Sequence, residues 1–186
     1  GRGDIVTVDI AARSGGWVTD TAWTYVLDGG PPRCRAVALA AWRVMVAAAQ
    51  TIRAGVTLGE IREASERAAR AQGVAIFPSL VGHGIGRDLH QAPVISFARD
   101  DPAAAVGDGV QLPAGALVNI EPVVSDRGVE LSLDHDGWGL RATDGALTAH
   151  YELTVLVGDG VGSLVQLNEL STAELPGEPP FGLLDR

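Results

Sequence analysis

Residues 4–27 read DIVTVDIAARSGGWVTDTAWTYVL, and the rest of the chain organises around them. Val6, Val8 and Ile10 share one face of an alternating segment, while Ile5, Thr7 and Asp9 share the other, the period-2 pattern of a strand. Ser14-Gly15-Gly16 is a turn signal and Trp17 to Leu27 is a second strand, so the stretch predicts a β-hairpin. A loop centred on Ser14-Gly15 sets Asp9 directly opposite Asp20. Like charges so placed repel, and something positive is expected between them. Either aspartate alone reads more simply as a hydrogen-bonded strand residue; their opposition is what points to a pair of ligands.

Outward from the hairpin, Asp28-Gly29-Gly30-Pro31-Pro32 breaks the pattern. Arg33 to Arg53 is Ala-rich and predicts a buried helix ended by Gly55. Thr57-Leu58-Gly59-Glu60 has the form of a capping box and opens an amphipathic helix to Gln72, closed by Gly73. The Arg and Glu residues at 60 to 70 read as its solvated face. From Val74 onward strand and turn alternate, with Leu117 to Val124, Glu130 to Leu133, Trp138 to Ala142 and Leu147 to Val157 as strands. A hairpin, two helices and an antiparallel strand-rich half predict an α+β fold. Residues 1–157 form the expected domain. Gly158 to Arg186, polar and carrying Pro176, Pro179 and Pro180, is expected to be a partly disordered C-terminal tail.

At 186 residues the chain is long enough for one well-cored domain. A net charge of −9 argues against nucleic acid as a partner. No apolar run reaches the roughly 20 residues that span a bilayer, so no membrane partner is expected. Cys34 is the only cysteine, which leaves no internal disulfide and no thiolate zinc site, and fits a reducing cytoplasm. The chain opens on Gly1-Arg2-Gly3-Asp4 and enters a strand at once, which reads as a start part-way through a larger protein.

Three further residues join the two aspartates. His83 lies in Gly82-His83-Gly84-Ile85-Gly86, where glycines let backbone crowd a site and leave the imidazole unobstructed. Glu121 ends the apolar run Ala116-Leu117-Val118-Asn119-Ile120, held extended by Pro122. Glu152 is embedded in His150-Tyr151-Glu152-Leu153-Thr154-Val155, where a glutamate is either edge-exposed or paired. Each desolvated charge costs several kcal/mol, so an interior collecting four carboxylates calls for cations. Two divalent metals would remove that cost and supply hydrolytic chemistry. His90, in Leu89-His90-Gln91-Ala92-Pro93, is a second histidine close by.

The ordered motifs Gly3-Asp4-Ile5-Val6 through Asp9, Thr19-Asp20-Thr21, Gly82-His83-Gly84-Ile85-Gly86 with His90, Asn119-Ile120-Glu121-Pro122 and Tyr151-Glu152-Leu153-Thr154 resemble those of the methionine aminopeptidases. These are dinuclear metallopeptidases of the pita-bread fold, and the match runs from Gly3 to Val157. Asp136-Gly137-Trp138 and Thr143-Asp144-Gly145-Ala146-Leu147-Thr148-Ala149 are similar to the type I enzymes. The resemblance implies an aminopeptidase that releases N-terminal methionine from peptides or nascent proteins. It implies that Asp9 chelates one metal, His83 and Glu121 the other, and that Asp20 and Glu152 bridge both. His90 would contact the scissile peptide, Glu121 would carry a proton to the leaving amine, and Trp138 would wall the pocket for the first side chain. The donor set suits Mn²⁺, Fe²⁺, Co²⁺ or Zn²⁺.

The chain departs from the family at Leu89, at Gln91-Ala92 and at Leu153, and the first two lie beside the substrate. The family's N-terminal region precedes the first aspartate motif and is absent from these 186 residues. That region is expected upstream in the same chain, and without it the hairpin edge and half of the substrate pocket are expected to be open. Other readings stand beside the leading one: a pita-bread dipeptidase of other specificity such as Xaa-Pro, a non-catalytic protein-binding module, and a truncated inactive fragment.

Overall fold

The structure is a computed structural model and describes residues 3–28, 30–102, 104–143, 145–164 and 171–179. Strands β1 (Ile5–Ser14) and β2 (Trp17–Val26) form the antiparallel hairpin. The turn is Gly15-Gly16, with φ of 56° and 79°. Two consecutive positive φ values match the right-handed twist of a hairpin and favour glycine at both positions. The turn therefore lies one residue later than the sequence suggests, and the register moves by two. Asp9 faces Ala22 and Asp20 faces Ala11, instead of each other. The two carboxylates remain on one face as diagonal neighbours.

Helix α1 (Pro32–Ala49) begins with proline in its first turn. It stops short of Gly55 because the chain tightens there, Thr51 and Ile52 donating their N–H groups to Ala48 O and Ala49 O. Helix α2 (Leu58–Gln72) has the reciprocal Thr57–Glu60 capping box and ends on left-handed Gly73. Short strands follow: β3 (Ala75–Ile76), β4 (Gly82–Gly84), β5 (Gln91–Ile95), a helical turn α3 (Ala104–Gly107), β6 (Leu117–Ile120), β7 (Val124–Ser125), β8 (Leu131–Leu133), β9 (Leu140–Ala142), β10 (Thr148–Ala149), β11 (Leu153–Leu156) and β12 (Ser163–Leu164). They pair antiparallel, in one five-stranded sheet ordered β12-β11-β6-β4-β5, a three-stranded sheet β10-β7-β3 and a hairpin β8-β9.

One face of α1 packs on these sheets through Val37, Ala41, Trp42, Met45 and Ala48, all buried. Trp42, Trp23 of β2 and Tyr151 stack with ring centroids 5.2–5.5 Å apart, tying helix, hairpin and sheet into one core. The Tyr151 hydroxyl donates to Thr24 O at 2.9 Å. Beyond residue 157 the chain returns as β12 against β11, Leu164 and Leu175 are buried, and the Trp42 indole donates to Pro176 O at 2.8 Å. The disorder expected within the tail, where it concerns 165–170 and 180–186, lies outside the described residues. Among the described residues no helix is long and apolar enough to cross a membrane.

Candidate metal centre

Three strand pairings converge the residues. A bridge between Ala22 and Glu152 joins the hairpin to the large sheet, with Glu152 N–H donating to Ala22 O at 2.9 Å. Leu153 then pairs with Ile120, and His83 with Asn119. Ligand atoms of Asp20, His83 and Glu152, all buried, lie within 4.8 Å of one another. Glu121, just past β6, brings Oε1 to 3.3 Å from His83 Nε2.

Close strand spacing is what makes room for this. A Cβ on Gly82 would sit 2.3 Å from Asn119 O, and one on Gly84 2.2 Å from Ala92 O. His83 is thus the one side chain that β4 presents between β6 and β5. Its Nδ1 lies 2.9 Å from Gly84 O, and a carbonyl only accepts, so Nδ1 carries the proton. The lone pair of Nε2 is left facing the carboxylates, as a metal ligand requires.

Glu152 is oriented by a relay. The Thr154 hydroxyl donates to Asn119 Oδ1 at 2.7 Å, and Asn119 Nδ2 donates to Glu152 Oε1 at 2.6 Å. The sequence places Asn119 and Thr154 inside the quoted motifs, but alternation along a strand does not reveal that two neighbouring strands align them.

Electrostatics explain what the cluster needs. Burial, then the charges of Glu152, Asp20 and Asp9, push Glu121 up to about 9. Burial, then Asp20 and Asp9, push Glu152 up to about 8, with the Asn119 hydrogen bond working the other way. Asp20 is raised by burial and by Asp9. Oε1 of Glu121 is buried and accepts no hydrogen bond among the described residues. Crowded carboxylates that resist ionisation, beside an imidazole lone pair, fit divalent cations as the missing positive charge.

The other expected residues fall into place unevenly. Asp9, expected to be buried, has a side chain 59 % exposed, because among the described residues β1 pairs with β2 alone. Its charge still acts on Asp20, Glu121 and Glu152, and its Oδ2 lies 3.9 Å from His150 Nε2. His90 is exposed at the rim with its ring edge-on to His83, centroids 4.5 Å apart. Trp138 does not wall the adjoining cavity. It is 86 % exposed near the tip of the β8–β9 hairpin, where Trp138 N and Gly139 N donate to Asp136 Oδ1 in a tight turn that directs the indole outward. The cavity, about 500 Å³, is lined instead by Phe77, Leu80, Val81, Val123, Leu131 and Leu140 among others, with Asp9, Glu121 and His150 at its polar side. Those apolar positions come from four separate segments, so no local pattern announces them.

The sequence is 32% identical over 155 residues to methionine aminopeptidase 2 of Bacillus subtilis (strain 168), covering 83% of this chain and 61% of the relative. The structure of methionine aminopeptidase from Thermotoga maritima superposes with a TM-score of 0.80 at 30% identity, covering 88% of this chain and 64% of that one. The prolidase from Pyrococcus furiosus, at 21% identity and a TM-score of 0.67 over 91% of this chain and 43% of that one, shares the fold. The architecture is thus the pita-bread fold, and the chain spans about three-fifths of the length of the curated relative. Metallopeptidase family M24 matches residues 1–159, from the hairpin through the last carboxylate strand, and the chain belongs to that family.

Proposed function

We propose that this chain carries the two-metal centre of an aminopeptidase that removes N-terminal methionine from peptides or nascent proteins. The observation that carries the reading is the convergence of Asp20, His83 and Glu152 within 4.8 Å, with Glu121 3.3 Å from His83. Asp9, Asp20, His83, Glu121 and Glu152 would hold two divalent ions, of which Mn²⁺, Fe²⁺, Co²⁺ and Zn²⁺ suit the donors. When bound, such ions acidify water and draw electron density from a carbonyl oxygen. Glu121, whose Oε1 accepts no hydrogen bond among the described residues, would carry a proton to the departing amine. His90, at the rim, would donate to the oxygen on which charge develops in the transition state. The apolar cavity beside Glu121 is of a kind that takes a thioether side chain.

The test is a titration of residues 1–186 with Mn²⁺ or Co²⁺, followed by hydrolysis of Met-Ala-Ser. Two ions bound per chain are expected, with little release of free methionine by these 186 residues on their own. An absence of divalent binding at millimolar metal would end the reading at its root. Release of the first residue from Xaa-Pro peptides alone would transfer it to a dipeptidase of other specificity.

A further inference from the structure

His90 needs an external support. Among the described residues no hydrogen bond reaches its ring, which touches the edge of His83 from an exposed loop between β4 and β5. The loop backbone must therefore set where the imidazole stands. That backbone is tied to the tip of the hairpin. Val18 N–H donates to Gly86 O at 2.7 Å, and Arg13 Nη1 donates to Arg87 O at 2.8 Å. The Arg87 guanidinium lies over the Trp17 ring, 4.2 Å from its centroid, with Nη1 3.4 Å from Gly15 O. Guanidinium over indole is an attractive pairing even at a surface. Trp17 remains half exposed beneath the arginine.

We propose that Arg13, Trp17 and Arg87 form a latch that positions His90 against His83. Arg87 acts through the loop and does not touch the reacting atoms, so it is a positioning residue. This inference rests on the reading of His90 as a catalytic donor.

The experiment compares Arg87→Ala, Arg87→Lys, Trp17→Leu and Trp17→Phe with the parent chain. Imidazole ¹H–¹⁵N spectra of the metal-free proteins read the position of His90 without any need for turnover. Its resonances are expected to move in Arg87→Ala and Trp17→Leu, to return in Arg87→Lys and Trp17→Phe, and those of the distant His135 to stay. With Co²⁺ supplied, Met-Ala-Ser turnover is expected to fall roughly tenfold in kcat in the first two variants, at constant KM and constant metal content. Unchanged His90 resonances with only a lowered melting temperature would show a merely structural contact and overturn the latch. Loss of metal in Arg87→Ala would overturn it too. If the parent chain binds no divalent metal, the proposed function fails; if it binds metal but releases no methionine, the imidazole spectra alone decide the latch.

Discussion

The two sides of the candidate metal centre are built differently. On the sheet side, His83 and Glu152 are buried, the first fixed by Gly84 O and the second by the Asn119–Thr154 relay. On the hairpin side, Asp20 is buried but Asp9 is more than half exposed, and β1 has no strand neighbour but β2 among the described residues. The hairpin is joined to the sheet by the Ala22–Glu152 bridge and by hydroxyls. Thr21 donates to Glu152 O and Thr24 donates to His150 O at 2.6 Å. The contrast teaches that one half of the candidate ligand set is preorganised by a hydrogen-bonded sheet. The other half is delivered by an element whose docking contributes to the site.

The sharpest way to break that comparison is to remove one ligand from each side. Glu152→Gln is expected to lower metal content from two ions and to reduce kcat/KM on the order of 10³-fold, about 4 kcal/mol of transition-state stabilisation. Asp9→Asn, on the exposed side, is expected to weaken metal affinity by less, roughly 10-fold to 100-fold. Elemental analysis and metal titration of the two variants check the ranking. Equal losses would mean that exposure of Asp9 has no bearing on its part in the site.

A second prediction concerns pH in the absence of metal. An acid whose folded pKa lies above its unfolded value holds a proton in the folded state that it gives up on unfolding. Stability from such a group is therefore greatest below the unfolded pKa and declines as pH rises through the folded one. For Glu121 and Glu152, raised to about 9 and about 8, the decline runs from about pH 4.5 to about pH 9. Thermal melts of the metal-free chain are expected to shift downward across that range, and saturating Co²⁺ to flatten the slope. A metal-free melting temperature that rises with pH over the same interval would place the protons elsewhere.

The smallest effect sharpens the comparison at the joint itself. Thr24→Val removes a hydroxyl that donates to His150 O and accepts from His150 N–H at 3.2 Å. Leaving that half-buried backbone pair unsatisfied is expected to cost about 1 kcal/mol in chemical denaturation. The mutation is also expected to weaken metal binding, because it loosens the hairpin from the sheet. Lost stability at unchanged metal affinity would show that the hairpin stays docked without the hydroxyl.

Much of the candidate centre is readable in the sequence. Asp9, Asp20, His83, Glu121 and Glu152 lie in segments whose patterns reveal strands and glycine-flanked turns, and four carboxylates with one imidazole imply cations. The capping box at Thr57 and the stop at Gly73 were equally plain, since those signals act between residues three or four apart. Trp138 shows where such reading ends. Its place in a motif carried an expectation of a pocket wall, whereas the turn around Asp136 directs it to solvent.

By itself the sequence determined the candidate ligand residues, their order along the chain, the two helices and the α+β class, because composition and local periodicity decide these. Only the tertiary structure decided the hairpin register, set by positive φ at both Gly15 and Gly16, and hence that Asp9 and Asp20 are diagonal neighbours. It alone decided that Asn119 and Thr154 hold Glu152, that Leu131 and Leu140 line the cavity, and that Arg87 lies over Trp17. Each of these depends on pairings such as Ala22 with Glu152, 130 residues apart. Contacts across such a separation are selected by the burial of a common core, which no short window of sequence contains.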